Sequence, residues 1–330
     1  MNKERKGIVV KKAKQRAVYS SVWAVVSFLR FLPRSAALLL MRSAGWAAFY
    51  LLKSKRLRAL KHLTAAFGHE KSASDIRRIA RKTFSNFGAF CADAVLIPRL
   101  MGKGVRKLIT AEGLEHLDTL SSNNEGAILL TAHFGNWELL AAWVAKCGYK
   151  LKVIASPHNN RWINRMIADA RDGSGYQSIE RGNHTREILR ALADGFSIGV
   201  LIDEDTKVDG VFVRFFDQWA HTPVGPVRLA VKYGLKIIPL FIRLRSDDTY
   251  HVEVKAPLPL VITGDKRRDL IVNTQACSDA YEAVIREHPE QWLWMMRRWK
   301  TQPKGKSLED GVGYYGLPGL VASTSEREAG

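Results

Sequence analysis

AILLTAHFGNWELLAAW, residues 127 to 143, decides how this chain is to be read. Ala127 to Leu130 form an apolar β-type run that delivers His133 to its end, and Glu138 follows where a Trp- and Leu-rich helix begins. A general base and a carboxylate placed where a strand meets a helix suit proton transfer. Within one continuous helix the two side chains would diverge by roughly 140°, at about 100° per residue. They converge only with His133 on the turn and Glu138 in the first helical turn. Asn136 is the expected N-cap of that helix. Glu138 then lies near the positive end of the helix dipole, which favours its ionised form. The alternative is a packed or surface histidine beside an apolar strand.

Working outward, strand and helix signals alternate. Strands are expected at 127–131, 151–155, 177–179, 197–202 and 236–244, the last with a hairpin partner at 251–254. Helices are expected at 138–146, 161–171, 186–193, 224–233 and 269–288, with Gly148 and Gly234 as stops. Residues 56–100 read as helical with a break at Phe67-Gly68, and Ser74 is a reasonable cap for the second part. Such alternation predicts an α/β fold, a layered, mostly parallel or mixed sheet flanked by helices. The chain divides into a basic N-terminal helical segment (1–55), a main domain (56–303) and a polar tail (304–330).

Charge is the outlying bulk property: 51 Lys and Arg against 32 Asp and Glu give +19. Such a balance calls for a polyanionic partner. Residues 1–16 hold seven basic side chains and one acid, Ala17 to Leu52 is largely apolar, and Lys53, Lys55, Arg56, Arg58 and Lys61 close the segment. Basic residues on both sides of an apolar stretch point to anionic membrane lipids. No zinc-finger spacing, basic zipper or RNA-binding aromatic motif accompanies the charge, so nucleic acid is set aside. The uncharged runs between Arg30, Arg34 and Arg42 fall short of the roughly 20 residues of a simple span, and Pro33 invites a break. Helices lying in the membrane interface are expected, with a single span or a buried amphipathic pair as alternatives.

Cys91, Cys147 and Cys277 show no CxxC spacing, which suggests reduced thiols in the cytoplasm. The nine histidines form no HxxH or HExxH pair, so no metal is expected. Gly173-Ser-Gly175 follows a helix and lacks a third glycine, and neither Ser174 nor Ser178 sits in a GxSxG elbow. The dinucleotide reading is dismissed, and most of the support for a serine hydrolase is removed.

His133-Phe-Gly-Asn-Trp-Glu138 resembles the HX4(D/E) signature of the glycerolipid acyltransferase superfamily, and its filling is similar to the branch containing the lipid A late acyltransferases. The resemblance continues through Ser178-Ile-Glu-Arg181, through DEDTKVDGVFVRFFDQWAHTPVGPVRLA (203–230), through Gly234 to Pro239, and into HPEQWLWMMRRWK (288–300). It covers about Arg56 to Pro303. Four positions depart from the family pattern: Glu204 stands for the usual Gln, Arg214 for Pro, Asp217 for Gly and Met296 for His. Arg214 and Asp217 are candidates for an altered acceptor.

The resemblance implies acyl transfer from an acyl carrier protein or coenzyme A thioester to a lipid A precursor or related glycolipid, at the cytoplasmic face of the bacterial inner membrane and without a further cofactor. A lysophospholipid acceptor is the alternative; a non-catalytic basic lipid-binding protein is the reading from another class. His133 is the expected base, with Glu138 holding the imidazole. Phe134 to Asn136 are candidate oxyanion donors through their backbone N–H groups. Arg171 and Arg181 are expected to face acceptor phosphate. Asp203 and Asp205 follow a buried strand, where α/β sites commonly lie. Asn136 is also a candidate substrate contact. Phe212, Phe215 and Phe216 are candidate walls of an acyl channel, with core packing as the alternative. Trp292, Trp294 and Trp299, among Arg297, Arg298 and Lys300, resemble an interfacial patch.

Overall fold

In the computed structural model, which describes residues 3–102, 104–182, 184–303 and 314–315, the apolar run at 127–131 becomes the centre of a seven-stranded sheet. Helices α1 (Lys3–Phe31), α2 (Arg34–Leu51), α3 (Lys53–Phe67) and α4 (Ala73–Leu100) come first. Then follow α5 (Val105–Leu108), β1 (Ile109–Glu112), α6 (Glu115–Ser122), β2 (Ile128–Thr131), α7 (Trp137–Lys146) and β3 (Leu151–Ala155). Next are α8 (Arg161–Asp172), β4 (Gln177–Glu180), α9 (Thr185–Ala193), β5 (Ser197–Leu201), β6 (Gly210–Phe215) and β7 (Gln218–Pro223). The chain continues with α10 (Gly225–Tyr233), β8 (Ile237–Leu244), β9 (Tyr250–Val254) and α11 (Lys266–Glu287), and β10 (Tyr314–Tyr315) pairs with β6.

The sheet order is β1-β9-β8-β2-β5-β3-β4, parallel throughout except where β9 folds back on β8. The mixed, mostly parallel α/β fold expected from the sequence is therefore present. Successive residues of a strand face opposite sides, and β2 feeds two cores this way. Ile128 and Leu130 pack with α9, α10 and α11, while Ala127 and Leu129 pack with α6 and α7. Such two-sided burial explains why the strand reads as a continuous apolar run. The remaining part of the tail expected at 304–330 lies outside the described residues.

Two glycines let α2 lie directly on α4. A Cβ on Gly45 would stand 2.2 Å from the Phe84 carbonyl oxygen, and one on Gly88 1.9 Å from that of Met41. Arg34 clamps Asp93 through Nε and Nη2 at 2.8 and 2.7 Å, and Tyr250 donates to the same buried carboxylate at 2.7 Å. This network joins both helices to β9. Pro33 separates α1 from α2 as expected, and the boundary placed at residue 55 falls inside α3. Ser72, not Ser74, caps α4 by accepting the Asp75 N–H at 3.2 Å. No single helix among the described residues is long and apolar enough to cross a membrane; α2 and α3 pass together but bend by 89° at their junction.

The β6–β7 hairpin has no counterpart among the strands expected from the sequence. Its turn places Phe216 at φ = +49° and Asp217 at φ = +56°, left-handed conformations that Gly adopts most easily and Asp tolerates. Arg214 stacks 4.0 Å from the Trp219 ring and donates to the Asp217 carbonyl at 2.9 Å. These two departures from the family pattern sit together at a hairpin tip, stabilising it, and not in the cavity described below.

Candidate active site

The turn after β2 is stitched to the C-terminal segment. Gly135 has φ = +56°, and a Cβ there would stand 1.7 Å from the Ile242 carbonyl oxygen, so only glycine lets the turn pass β8. The Gly135 N–H donates to Gln291 O, and the Leu293 N–H to His133 O, each at 3.0 Å. Asn136 then caps α7 as expected, its Oδ1 accepting the Leu139 N–H at 3.0 Å. Buried and used in this way, Asn136 serves the turn; it lines a small recess with His133, not the main cavity. Two of the three expected oxyanion donors are engaged: the Phe134 N–H donates to Ala132 O at 2.6 Å, and that of Gly135 is committed to Gln291.

Strands β2 and β5 are parallel neighbours with Thr131 beside Leu201. Two residues beyond that pair, each chain leaves the C-terminal edge of the sheet, with His133 on one and Asp203 on the other. Asp203 Oδ1 lies 2.9 Å from His133 Nδ1, and Oδ2 accepts the His133 backbone N–H and the Trp292 indole N–H, each at 2.8 Å. Asp203 is wholly buried. Burial favours the neutral acid, but the His133 charge and these three donors outweigh it and hold the carboxyl below its usual range. Burial likewise opposes a charged His133, yet Asp203, with lesser help from Glu204 and Glu138, raises its pKa above the ordinary value. An ionised Asp203 makes Nδ1 the donor and leaves Nε2 as the basic nitrogen. The imidazole keeps 22% exposure and lines the cavity.

Glu138 is not the partner of the imidazole. The first turn of α7 directs it to α8 and β4, where Arg171 grips both its oxygens, Nε to Oε2 at 3.0 Å and Nη2 to Oε1. The Tyr176 hydroxyl donates to Oε2 at 2.7 Å, and Arg171 Nη1 reaches Ser178 Oγ at 2.9 Å. A planar guanidinium matches a carboxylate better than an imidazole edge does, so Arg171 is spent on Glu138 and is not open for acceptor phosphate. Burial and the Glu138 carboxylate push the Tyr176 pKa far up, so it remains a phenol and a donor.

A cavity of about 590 Å³ opens beside this group. Its inner arm lies between the sheet and α7 and is apolar, with Leu129, Val153 and Leu151 on one side and Leu140, Ala141 and Val144 on the other. Elsewhere its lining mixes Arg181, Thr185, Glu204 and Thr206 with Pro223, Pro226 and Leu229. His133 and Glu138 both line it. Arg181 is exposed there, in keeping with a contact to a charged ligand.

The other candidates fall elsewhere. Asp205 accepts from the Thr301 N–H at 2.5 Å and faces His221 Nδ1 at 3.4 Å, away from the cavity. Phe212, Phe215 and Phe216 are core residues: Phe215 packs on Trp292 at 5.3 Å and Phe216 on Phe67 at 5.0 Å. Trp292 and Trp294 are fully buried and form no interfacial patch, and Arg298 is buried with them, donating to His221 O and Thr222 Oγ1 at 2.8 Å. Met296 is also buried, in the position where the family usually has His. Among the described residues no group of three or more His, Cys, Asp or Glu gathers as a metal site needs.

The family model for bacterial lipid A biosynthesis acyltransferases matches residues 10–301. The chain belongs to that family. It is an acyltransferase, and its relatives carry glycolipid names. The lipid A biosynthesis palmitoleoyltransferase of Escherichia coli K12 is 26% identical over 80% of this chain and 84% of its own. A lipid A biosynthesis acyltransferase of Haemophilus influenzae is 23% identical over 88% and 91%. The phosphatidylinositol mannoside acyltransferase of Mycolicibacterium smegmatis is 21% identical over 67% and 72%. In this acyltransferase two members of the site were not legible as such. Trp292 has the sequence context of an interfacial residue yet binds Asp203, and Tyr176 carries no signal beyond its place before β4.

Proposed function

We propose that this acyltransferase moves a fatty acyl group from a carrier-protein or coenzyme A thioester to a hydroxyl of a lipid A precursor or related glycolipid, with His133 as general base. The observation that carries this reading is the position of His133, backed by buried Asp203 at Nδ1, in the lining of one cavity that has both an apolar wall and charged residues. Nε2 takes the proton of the acceptor hydroxyl, whose oxygen attacks the thioester carbonyl. The tetrahedral intermediate collapses, the C–S bond breaks, and the thiolate recovers the proton from the imidazolium. Asp203 fixes the tautomer and stabilises the imidazolium as it forms. No enzyme nucleophile is required. Glu138, Arg171 and Tyr176 form a rigid polar wall next to the reacting centre.

Membrane association is part of the proposal. The inner faces of α1 and α2 pack on α4 through Leu29, Ala37 and Leu38, but Phe31 is 86% and Leu51 79% exposed, with Trp23, Phe28, Leu39 and Trp46 also outward. Exposed apolar side chains in this number, on helices that also carry Arg16 and Arg30 and lead into the basic start of α3, suit the interface of an anionic leaflet. An acidic acyl carrier protein would be steered by the same net charge of +19.

The deciding assay incubates wild type or His133→Ala with a labelled acyl-carrier-protein donor and, separately, lipid A precursor, phosphatidylinositol mannoside and lysophospholipid. Label reaching a glycolipid with the wild type alone supports the proposal and names the acceptor. Transfer to lysophospholipid alone replaces the glycolipid reading. Undiminished transfer by His133→Ala removes the base.

A further inference from the structure

A central strand of a parallel sheet normally fills both its faces with branched apolar side chains. β5 fills only one. Ile198 and Val200 enter the core on the α10 and α11 side, while Gly199, the middle residue, leaves the α7 side open. In register it stands between Leu129 of β2 and Val153 of β3, on the floor of the apolar arm. Its backbone does not demand glycine. It is not one of the glycines with positive φ, and an added Cβ would meet side-chain ends first: Val153 Cγ1 at 3.1 Å and Leu151 Cδ1 at 3.5 Å, before Lys152 O at 3.7 Å. Glycine weakens a strand interior, so what this one supplies is room. The opposite wall has a second small residue, Ala141 of α7.

We infer that Gly199 determines the length of acyl chain that the enzyme transfers, by leaving the trough in which the donor's chain lies. The inference rests on the proposed acyl transfer. His133 lines the same cavity, and the reacting carbonyl must sit at it, so the chain attached to that carbonyl is the one that enters the arm. A side chain at position 199 fills the trough partway along and excludes the distal methylenes of a long chain while admitting a short one.

The experiment uses wild type, Gly199→Ala, Gly199→Val and, from the helix wall, Ala141→Leu. Each is given saturated acyl thioesters from octanoyl to stearoyl with one acceptor held constant, and then acceptors of differing chain length with one donor. Displacement of a fluorescent fatty acid by free fatty acids of the same lengths reads chain preference without turnover. The ratio of kcat/KM for the longest accepted donor to that for a short donor is expected to fall about tenfold or more in Gly199→Val, the scale of excluding a methylene from a tight pocket. Displacement should shift in the same direction, with the long donor losing more than the short one. Gly199→Ala and Ala141→Leu should move the ratio in that sense even where the valine variant folds poorly. An unchanged ratio and displacement order in the folded variants overturns the inference, as does a shift seen only when acceptor length is varied. Wild type that displaces by length but transfers no acyl group would instead sink the proposed activity and leave the trough standing.

Discussion

Asp203 holds His133 twice, taking the backbone N–H on Oδ2 at 2.8 Å and the ring Nδ1 on Oδ1 at 2.9 Å. The double grip fixes both the tautomer and the direction of Nε2. It also raises the His133 pKa despite burial. A general base works only when unprotonated, so kcat/KM should fall as pH drops through a value above the ordinary 6.5 of histidine. In Asp203→Asn the carboxylate is gone and burial dominates, so this acid limb should move to lower pH. The plateau should fall about 10³-fold or more, the scale of losing a triad carboxylate. A pH–rate profile of the two proteins checks both. An acid limb that stays in place would separate Asp203 from the base.

Trp292 supplies the third donor to Asp203, at 2.8 Å on Oδ2. Trp292→Phe keeps an aromatic ring in the core but removes the indole N–H, leaving the carboxylate short of one bond. Charged hydrogen bonds of this kind contribute about 1.5–3 kcal/mol. We expect kcat to fall about tenfold with little change in KM, because the ring positions the base and does not touch substrate. A loss confined to KM would contradict a positioning role.

Glu138 and Arg171 should couple strongly in a double-mutant cycle. Their side chains are 20% and 16% exposed, and each satisfies the other in two places. Glu138→Ala strands a buried guanidinium and should cost about 3 kcal/mol of stability. The pair Glu138→Leu with Arg171→Met should recover most of that, because replacing both partners by apolar groups removes the stranded charge. Thermal or denaturant unfolding of the four proteins measures it. The acid limb of Glu138→Gln should move less than that of Asp203→Asn, since Glu138 acts on His133 only through space.

The division of labour between those two carboxylates marks the limit of what the sequence discloses. His133 at the end of a strand, Asn136 as a cap and the order of strands and helices follow from local pattern. So does the placing of Asp203 after a buried strand. What the sequence does not contain is that β5 lies next to β2, seventy residues apart, with Thr131 opposite Leu201. That pairing, and not spacing within the HX4E motif, selects the partner of His133. The aromatic residues are hidden for a similar reason: Phe215 and Phe216 read as candidate channel walls and Trp292 and Trp294 as a candidate interfacial patch, yet they pack on one another and Phe215 on Tyr281 of α11, in the core. No local signal announces that packing.

His62 of α3 should make stability depend on mild acid. It is buried, with Nδ1 3.0 Å from the Trp294 carbonyl oxygen and its ring 4.9 Å from Trp299. Burial first, and then Arg58 and Lys61, lower its pKa to about 4, while the Trp294 carbonyl opposes this. The unfolded chain binds a proton near 6.5 and the folded chain only near 4. The stability His62 confers is therefore complete above 6.5 and is lost as pH falls to 4, by about 3 kcal/mol at most. In His62→Gln the fall in melting temperature between those pH values should be smaller. An equal fall would assign the acid sensitivity to other groups.

The outer face of α1 should bind membranes by two separable forces. Trp23, Phe28 and Phe31 are 55%, 54% and 86% exposed on one helix, and burying a large apolar side chain is worth about 1.5–3 kcal/mol. That contribution does not screen with salt. The basic residues beside them add about 1 kcal/mol each near an anionic leaflet, and that contribution falls steeply as ionic strength rises. Wild type should therefore float with anionic vesicles at low and high salt. The triple variant with Ser at 23, 28 and 31 should float at low salt only, with partitioning at high salt reduced about 100-fold or more. Since none of the three side chains lines the cavity, its transfer to a detergent-dispersed acceptor should match wild type. Equal flotation at high salt would show that this face is not the one that meets the bilayer.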